Sequence, residues 1–198
     1  RPNIVVSVVD DLGFADVSYH DAAQVTPEVA RMARHGVTLE RFYTGCACTP
    51  SRTMLMTGRY TIRSGMQDSV LHSTEPRGVA LEEAFLPQKL QVAGYSTYGV
   101  GKWHLGMFQS AYLPTRRGFD RWFGMYPGGG SHTGHFSVSQ SFTVRGDVVN
   151  DEQVWMGYNL FEDEMPVNDT LIFGEHSTPL YTEKAVEYVS EADDSKPF

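Results

Sequence analysis

The chain has 198 residues, 41% of them apolar, which is enough to bury a core and argues against a disordered polymer. A formal net charge of −8 argues against nucleic acid or an anionic membrane surface as the main partner, because both select basic patches. No apolar run approaches the ~18 residues of a membrane span, so no membrane span is expected.

The first predicted element is "NIVVSVVDD", a continuous apolar run ending in Asp10 and Asp11, the pattern of a parallel strand buried on both faces. "VTPEVARMARHG" reads as a helix with Thr26 as N-cap, Pro27 at the first helical position and Gly36 as terminator, and "VTLERFY" reads as the next strand. A second helix is predicted after Cys48, with Thr49 as N-cap, Pro50 at its first position and a stop at Gly58. "PQKLQVAGY" is a short helix closed by Gly94, and "STYGVGKWHLG" is a strand running into a glycine-flanked turn. Residues 106–178 read as a loop-rich excursion that shapes a pocket, with Gly128 to Gly130 in sequence and a hairpin around "SFTVRGDVV". "TPLYTEKAVEYVSEA" is an amphipathic helix capped by Thr178 and Pro179, and the closing "DDSKPF" reads as the entry to another strand. The fold class expected is α/β, a mainly parallel sheet sandwiched by helices. Residues 1–198 read as the N-terminal part of one larger domain, incomplete at the C-terminus.

In an open parallel sheet, ligands collect outside the carboxyl ends of the strands. Three polar groups fall at such ends: Asp10-Asp11, the Cys48 loop, and Lys102-Trp103-His104. The two cysteines, Cys46 and Cys48, are too few for a disulfide framework, and a bridge between them across one residue would be strained. A chemical role is therefore expected. At a helix N-terminus, backbone N–H groups and the dipole favour a thiolate or a bound anion at Cys48, and Arg52 one turn later can fold back to the same spot. Asp10 and Asp11 offer hard oxygens for Ca²⁺ or Mg²⁺, although Asp-Asp-x-Gly is also ordinary turn chemistry. An extended backbone would put Lys102 and His104 on one side and Trp103 on the other. Arg116 and Arg117 are either structural partners of nearby carboxylates, the favoured reading, or substrate ligands, and the sequence does not choose between them. His132 and His135, three apart beside a glycine run and without a helix to orient them, are expected to line a pocket rather than bind zinc. The triplet Asn168-Asp169-Thr170 is a glycosylation acceptor pattern.

Cys48-Thr49-Pro50-Ser51-Arg52, followed by Thr57-Gly58-Arg59, resembles the signature C-x-P-S-R…T-G-R of the type I sulfatases. "DDLGFADVSYH" resembles that family's first metal-binding segment. "GKWHLG" and "LPTRRGFDRWFG" resemble its later segments, the latter most closely in the arylsulfatase B (N-acetylgalactosamine-4-sulfatase) branch. The resemblance covers most of residues 1–124 and implies an alkaline-phosphatase-like sulfatase fold. It further implies a sulfuric ester hydrolase acting on a sulfated glycan or an aryl sulfate, in a lysosomal or secreted setting.

By the same resemblance Cys48 is oxidised to formylglycine by a formylglycine-generating enzyme. Asp10, Asp11 and the modified Cys48 would hold the divalent metal, Ca²⁺ or Mg²⁺. Arg52, Lys102 and His104 would serve catalysis, Lys102 holding a sulfate oxygen and His104 taking a proton from the hydrated aldehyde. The family's second metal-binding pair and its later His and Lys lie beyond residue 198, so the isolated segment is expected to be inactive and unstable. Two other readings stand beside this one: a phosphonate or phosphate monoester hydrolase of the same superfamily, and a non-catalytic relative that binds sulfated glycans.

Overall fold

A computed structural model describes residues 1–145, 148–167 and 172–198, with side chains described outside 140–145 and 148–153. Asn168-Asp169-Thr170 lies outside the described residues. The chain divides into two units, one of Arg1–Ile4 with Gly45–Phe198 and one of Val5–Thr44.

The larger unit is built on a four-stranded sheet in the order β1-β2-β5-β6, formed by β1 (Tyr98–Lys102), β2 (Arg121–Met125), β5 (Leu160–Glu162) and β6 (Met165–Pro166). β1 and β2 run parallel, with Tyr98 opposite Arg121 and Lys102 opposite Met125, while β2–β5 and β5–β6 are antiparallel. The sheet is thus mixed. Gly101 and Gly124 face each other across β1 and β2, and a side chain at Gly124, which has φ +155°, would overlap the Gly101 carbonyl.

Both faces of β2, between β1 and β5, are buried, as a short apolar strand requires. On one face Trp103 and Trp122 meet edge to face with ring centroids 5.6 Å apart, within a cluster that includes Leu71, Val79, Phe85, Leu105 and Tyr126. Met56, from helix α2 (Cys48–Thr57), packs against it, and Phe85 leads into α3 (Leu86–Val92). On the other face Phe123 and Leu160 pack with Tyr188 of α4 (Ser177–Ser190). Helices therefore cover the sheet from two sides, an α/β arrangement. β3 (Phe136–Arg145) and β4 (Val148–Tyr158) form a separate antiparallel ribbon, with a register shift between Phe142 and Val144. The expected hairpin is present and longer than "SFTVRGDVV".

Three differences from the sequence reading have physical causes. β2 and β5 lie inside the segment read as loop: each is short, and β2 carries a glycine, so neither offers a long alternating run. No strand is assigned to residues 4–11 among the described residues, and Val5, Val6, Val8 and Val9 are 51–80% exposed. Ile4 donates to the Phe198 carbonyl at 2.7 Å, and Ser96 donates to the Pro197 carbonyl at 2.9 Å, so Pro197 and Phe198 are bonded on both sides. Past Ile4 no ladder partner is described, and an apolar run without one is extended chain rather than strand. The same holds for "VTLERFY", where Val37, Leu39, Phe42 and Tyr43 are exposed and no ladder is assigned.

The smaller unit contains α1 (Pro27–His35), with the predicted proline start and Gly36 stop. Thr26 precedes it but makes no side-chain cap; its hydroxyl oxygen accepts from the Ser18 amide at 2.8 Å instead.

Candidate active site

α2 begins two residues earlier than predicted. Ala47, extended at φ −150°, is the N-cap and offers no side-chain acceptor, so Cys48 is the first helical residue. Thr49 does not cap because its hydroxyl is engaged elsewhere: it donates to the His104 carbonyl at 3.2 Å and accepts from the Leu71 amide at 3.1 Å. Ser51 ties the turn before the helix by donating to the Gly45 carbonyl at 2.9 Å. Gly58, in the left-handed conformation at φ +66°, ends the helix as read from the sequence. Cys48 and the exposed Cys46 are both free thiols, with Cys48 half-buried.

The Arg52 guanidinium donates to the Lys102 carbonyl at 2.5 Å, at the C-terminal end of β1. Together with the Thr49–His104 bond, this fastens the first turn of α2 to the "GKWHLG" segment, so Cys48, Arg52, Lys102 and His104 belong to one locality. The expected alternation ends at Lys102. Trp103 and His104 are both buried, at 1% and 4% exposure, because His104 adopts φ +60° and turns the chain out of the strand. The His104 amide donates to the Tyr126 carbonyl at 2.9 Å, and its Nε2 lies 2.7 Å from the Leu71 carbonyl. Arg52 and the backbone of Lys102 and His104 are thus held close together in a chain that is acidic overall, and these residue types could supply the local positive charge an anion requires.

Arg59 of the T-G-R string places one guanidinium nitrogen 2.6 and 2.8 Å from the two carboxylate oxygens of Glu83. Arg116 pairs with Glu164 at 2.6 Å, as expected, and that contact holds the Glu164 carboxyl below its usual range while raising Arg116. Among the described residues, Arg117 pairs with no carboxylate. It is 2% exposed, donates to the carbonyls of Val79, Ala80 and Glu83, and lies 3.8 Å over the Phe85 ring, and burial lowers its pKa.

In the smaller unit Asp10 and Asp11 are exposed in a turn, with Asp11 at φ +56°. Among the described residues no group of three or more His, Cys, Asp or Glu side chains is placed to hold a metal ion. Two adjacent carboxylates have the right donor chemistry for Ca²⁺ or Mg²⁺ but supply only part of the six to eight oxygens that calcium takes.

The sequence profile of the Sulfatase family matches residues 2–198. The chain belongs to the type I sulfatase family. Over 197 residues this sulfatase chain is 38% identical to arylsulfatase J of Mus musculus, covering 100% of the chain and 31% of that protein. It is 34% identical over 200 residues to N-acetylgalactosamine-6-sulfatase of Rattus norvegicus, covering 95% of the chain and 36% of that protein. The crystal structure of Ps i-CgsB in complex with k-i-k-neocarrahexaose superposes with a TM-score of 0.80 at 26% identity, over 100% of this chain and 43% of that one. The sulfatase chain spans about a third of the length of the curated relatives it matches. The alkaline-phosphatase-like fold expected from the signature is the fold of these neighbours.

Sequence reasoning missed several residues that shape the site. Thr49 and Leu71 hold His104, and Gly128 lies against its ring, where any side chain would overlap the imidazole. The glycine run at 128–130 was the only signal for that contact. The His132 Nδ1 lies 2.6 Å from Ser177 Oγ, and its ring stacks on His176, 4.8 Å between centroids. His135 is buried, with Nε2 3.1 Å from the Glu175 carbonyl.

Proposed function

We propose that the whole protein is a sulfuric ester hydrolase that cleaves sulfate monoesters through a formylglycine made from Cys48 by a formylglycine-generating enzyme. The observation that carries this is the placement of Cys48 at the N-terminus of α2, within a C-x-P-S-R string whose Thr49 and Arg52 are bonded to the Lys102–His104 segment. The relatives named for arylsulfatase and N-acetylgalactosamine-6-sulfatase activity support sulfated glycans or aryl sulfates as the substrate class. Among glycans, the "LPTRRGFDRWFG" segment favours N-acetylgalactosamine 4-sulfate as the first to test.

A hydrated aldehyde at position 48 would supply one oxygen to attack sulfur, displacing the alcohol, and a second that would expel sulfate as the carbonyl reforms, splitting one hard step into two. Around it, this chain's own groups bind and move charge. The Lys102 ammonium would hold a sulfate oxygen, as a fixed cation suits an oxyanion. The imidazole of His104 would take the proton released when sulfate leaves. Arg52 would support the same anion from the helix, with its carbonyl contact setting where the guanidinium lies. Asp10 and Asp11 would hold Ca²⁺ or Mg²⁺, a charge that offsets sulfate. A protein working in a lysosomal or secreted setting would meet such substrates.

The test is parallel hydrolysis of nitrophenyl sulfate and nitrophenyl phosphate by the intact protein from its native compartment, with the mass of the peptide spanning Cys48. Sulfate turnover with an aldehyde at position 48, and its loss in Cys48→Ser, is expected. Preferred phosphate turnover would move the protein to the phosphate branch, and an unmodified thiol without turnover would mark a glycan-binding relative. The 198-residue chain alone is expected to be inactive, since Asp10 and Asp11 are too few for a metal site.

A further inference from the structure

Thr49, Leu71 and His104 form a closed ring of hydrogen bonds, each residue giving one donor and one acceptor. The Thr49 hydroxyl donates to the His104 carbonyl and accepts from the Leu71 amide, while the Leu71 carbonyl faces His104 Nε2 at 2.7 Å. The three residues are 55, 22 and 33 positions apart in sequence and are 0%, 5% and 4% exposed. No solvent competes for these bonds. A carbonyl oxygen carries no hydrogen and can only accept, so Nε2 must carry the proton in that contact.

We infer that Thr49 is a positioning residue that, with the Leu71 carbonyl and the clearance at Gly128, fixes His104 as the Nε2–H tautomer and makes Nδ1 the nitrogen that exchanges protons. This rests on the reading that His104 moves a proton in sulfate ester hydrolysis, and it adds which nitrogen does so and what selects it. Four restraints act on one residue. The His104 amide is held by the Tyr126 carbonyl, its carbonyl by Thr49, its Nε2 by Leu71, and its ring by the missing side chain at Gly128. Because the ring is anchored through Nε2, rotation cannot exchange the two nitrogens without breaking the bond to Leu71. The hydroxyl of Thr49 restrains Leu71, which offers its amide to Thr49 and, across its own Cα, its carbonyl to His104.

The tautomer is read directly by nitrogen NMR of the intact protein labelled with ¹⁵N-histidine, with the His104 signals assigned by their loss in His104→Asn. A protonated Nε2 and a bare Nδ1 at neutral pH are expected, and a protonated Nδ1 would overturn the inference whether or not the protein hydrolyses sulfate. Thr49→Val removes the hydroxyl at nearly constant shape. It is expected to lower kcat by about 10- to 100-fold with KM little changed and to mix the two tautomers. Thr49→Ser, which restores the hydroxyl, is expected to recover most of kcat. Wild-type kcat and an unmixed tautomer in Thr49→Val would overturn the positioning role. Should that variant not fold, Gly128→Ala is read instead, where an unchanged His104 spectrum would count equally against it. Absence of sulfate turnover in the wild type, with the Nε2–H tautomer present, would instead sink the functional reading alone.

Discussion

Arg117 shows how much one side chain can carry when it is enclosed. Its guanidinium sits on the Phe85 ring and supplies donors to three backbone carbonyls, so the loop from Val79 to Glu83 is satisfied by a residue from "PTRRG" rather than by water. Removing it leaves those acceptors buried without donors, at about 1–3 kcal/mol each before relaxation. Arg117→Met is therefore expected to destabilise the intact protein by more than 2 kcal/mol, on the order of one stranded carbonyl or more. Arg117→Lys should rescue only part of this, because a single ammonium cannot match the planar fork. Equal denaturation midpoints for Arg117→Met and wild type would refute this role. Arg116, its neighbour, is a contrasting case: its partner Glu164 has a depressed carboxyl pKa, so their pairing stabilises above the ordinary carboxylate range and is lost as pH falls through the folded value. The sequence left both arginines open between a structural role and substrate binding, and it named no partner for either. Nothing in "TRRG" says which side chain turns inward, since that depends on Gly118 at φ +100° reversing the chain after a short 3-10 turn, Pro114–Arg117.

At the scale of elements, what was legible in the sequence is what local rules dictate. α1 follows its Pro and Gly punctuation, α2 follows its Gly58 stop though not its proline start, and β1 follows its apolar run between Gly94 and the "GKWHLG" turn. What was not legible depends on partners distant in sequence. β2 is a strand because Trp122 and Phe123 point to opposite buried faces beside β1, and Thr49 fails to cap α2 because His104 and Leu71 claim its hydroxyl. α4 is a similar case: Thr178 was the predicted cap, but His176 occupies that position and its Nδ1 accepts from the Thr178 amide at 3.2 Å. Histidine is an uncommon cap, and here the stack on His132 holds the ring in place. His176→Ala is expected to cost about 1 kcal/mol and to raise amide exchange in the first turn of α4, while His176→Asp should keep or improve the cap. Unaltered exchange at Thr178 in His176→Ala would show that the cap contributes nothing.

Across residues 45–198 the sheet, α4 and the ion pairs around it form one buried layer whose weakness lies at alkaline pH. Arg121 bridges to Glu191 at 2.8 Å and lies 4.3 Å over the Tyr188 ring, and Lys184 bonds Glu162 at 2.8 Å, so charges ring a patch of enclosed phenols. Burial pushes Tyr181 up to about 12, and burial also raises Tyr126 and Tyr188, with nearby carboxylates adding to both. The sign follows from linkage. In the unfolded chain these phenols ionise near 10, whereas in the folded protein they keep their protons to higher pH. Stability is therefore full below about pH 10 and falls as pH rises toward the folded values, by at most about 1.4 kcal/mol per pH unit for each phenol. Tyr181→Phe removes one such group without removing the ring that meets Phe123 edge-on at 6.1 Å, so its denaturation midpoint should fall less steeply between about pH 10 and 12 than wild type while matching it at neutral pH. Parallel slopes for the two proteins over that interval would mean that Tyr181 is not enclosed as the packing of α4 on β2 requires, and that the alkaline loss originates elsewhere in the layer.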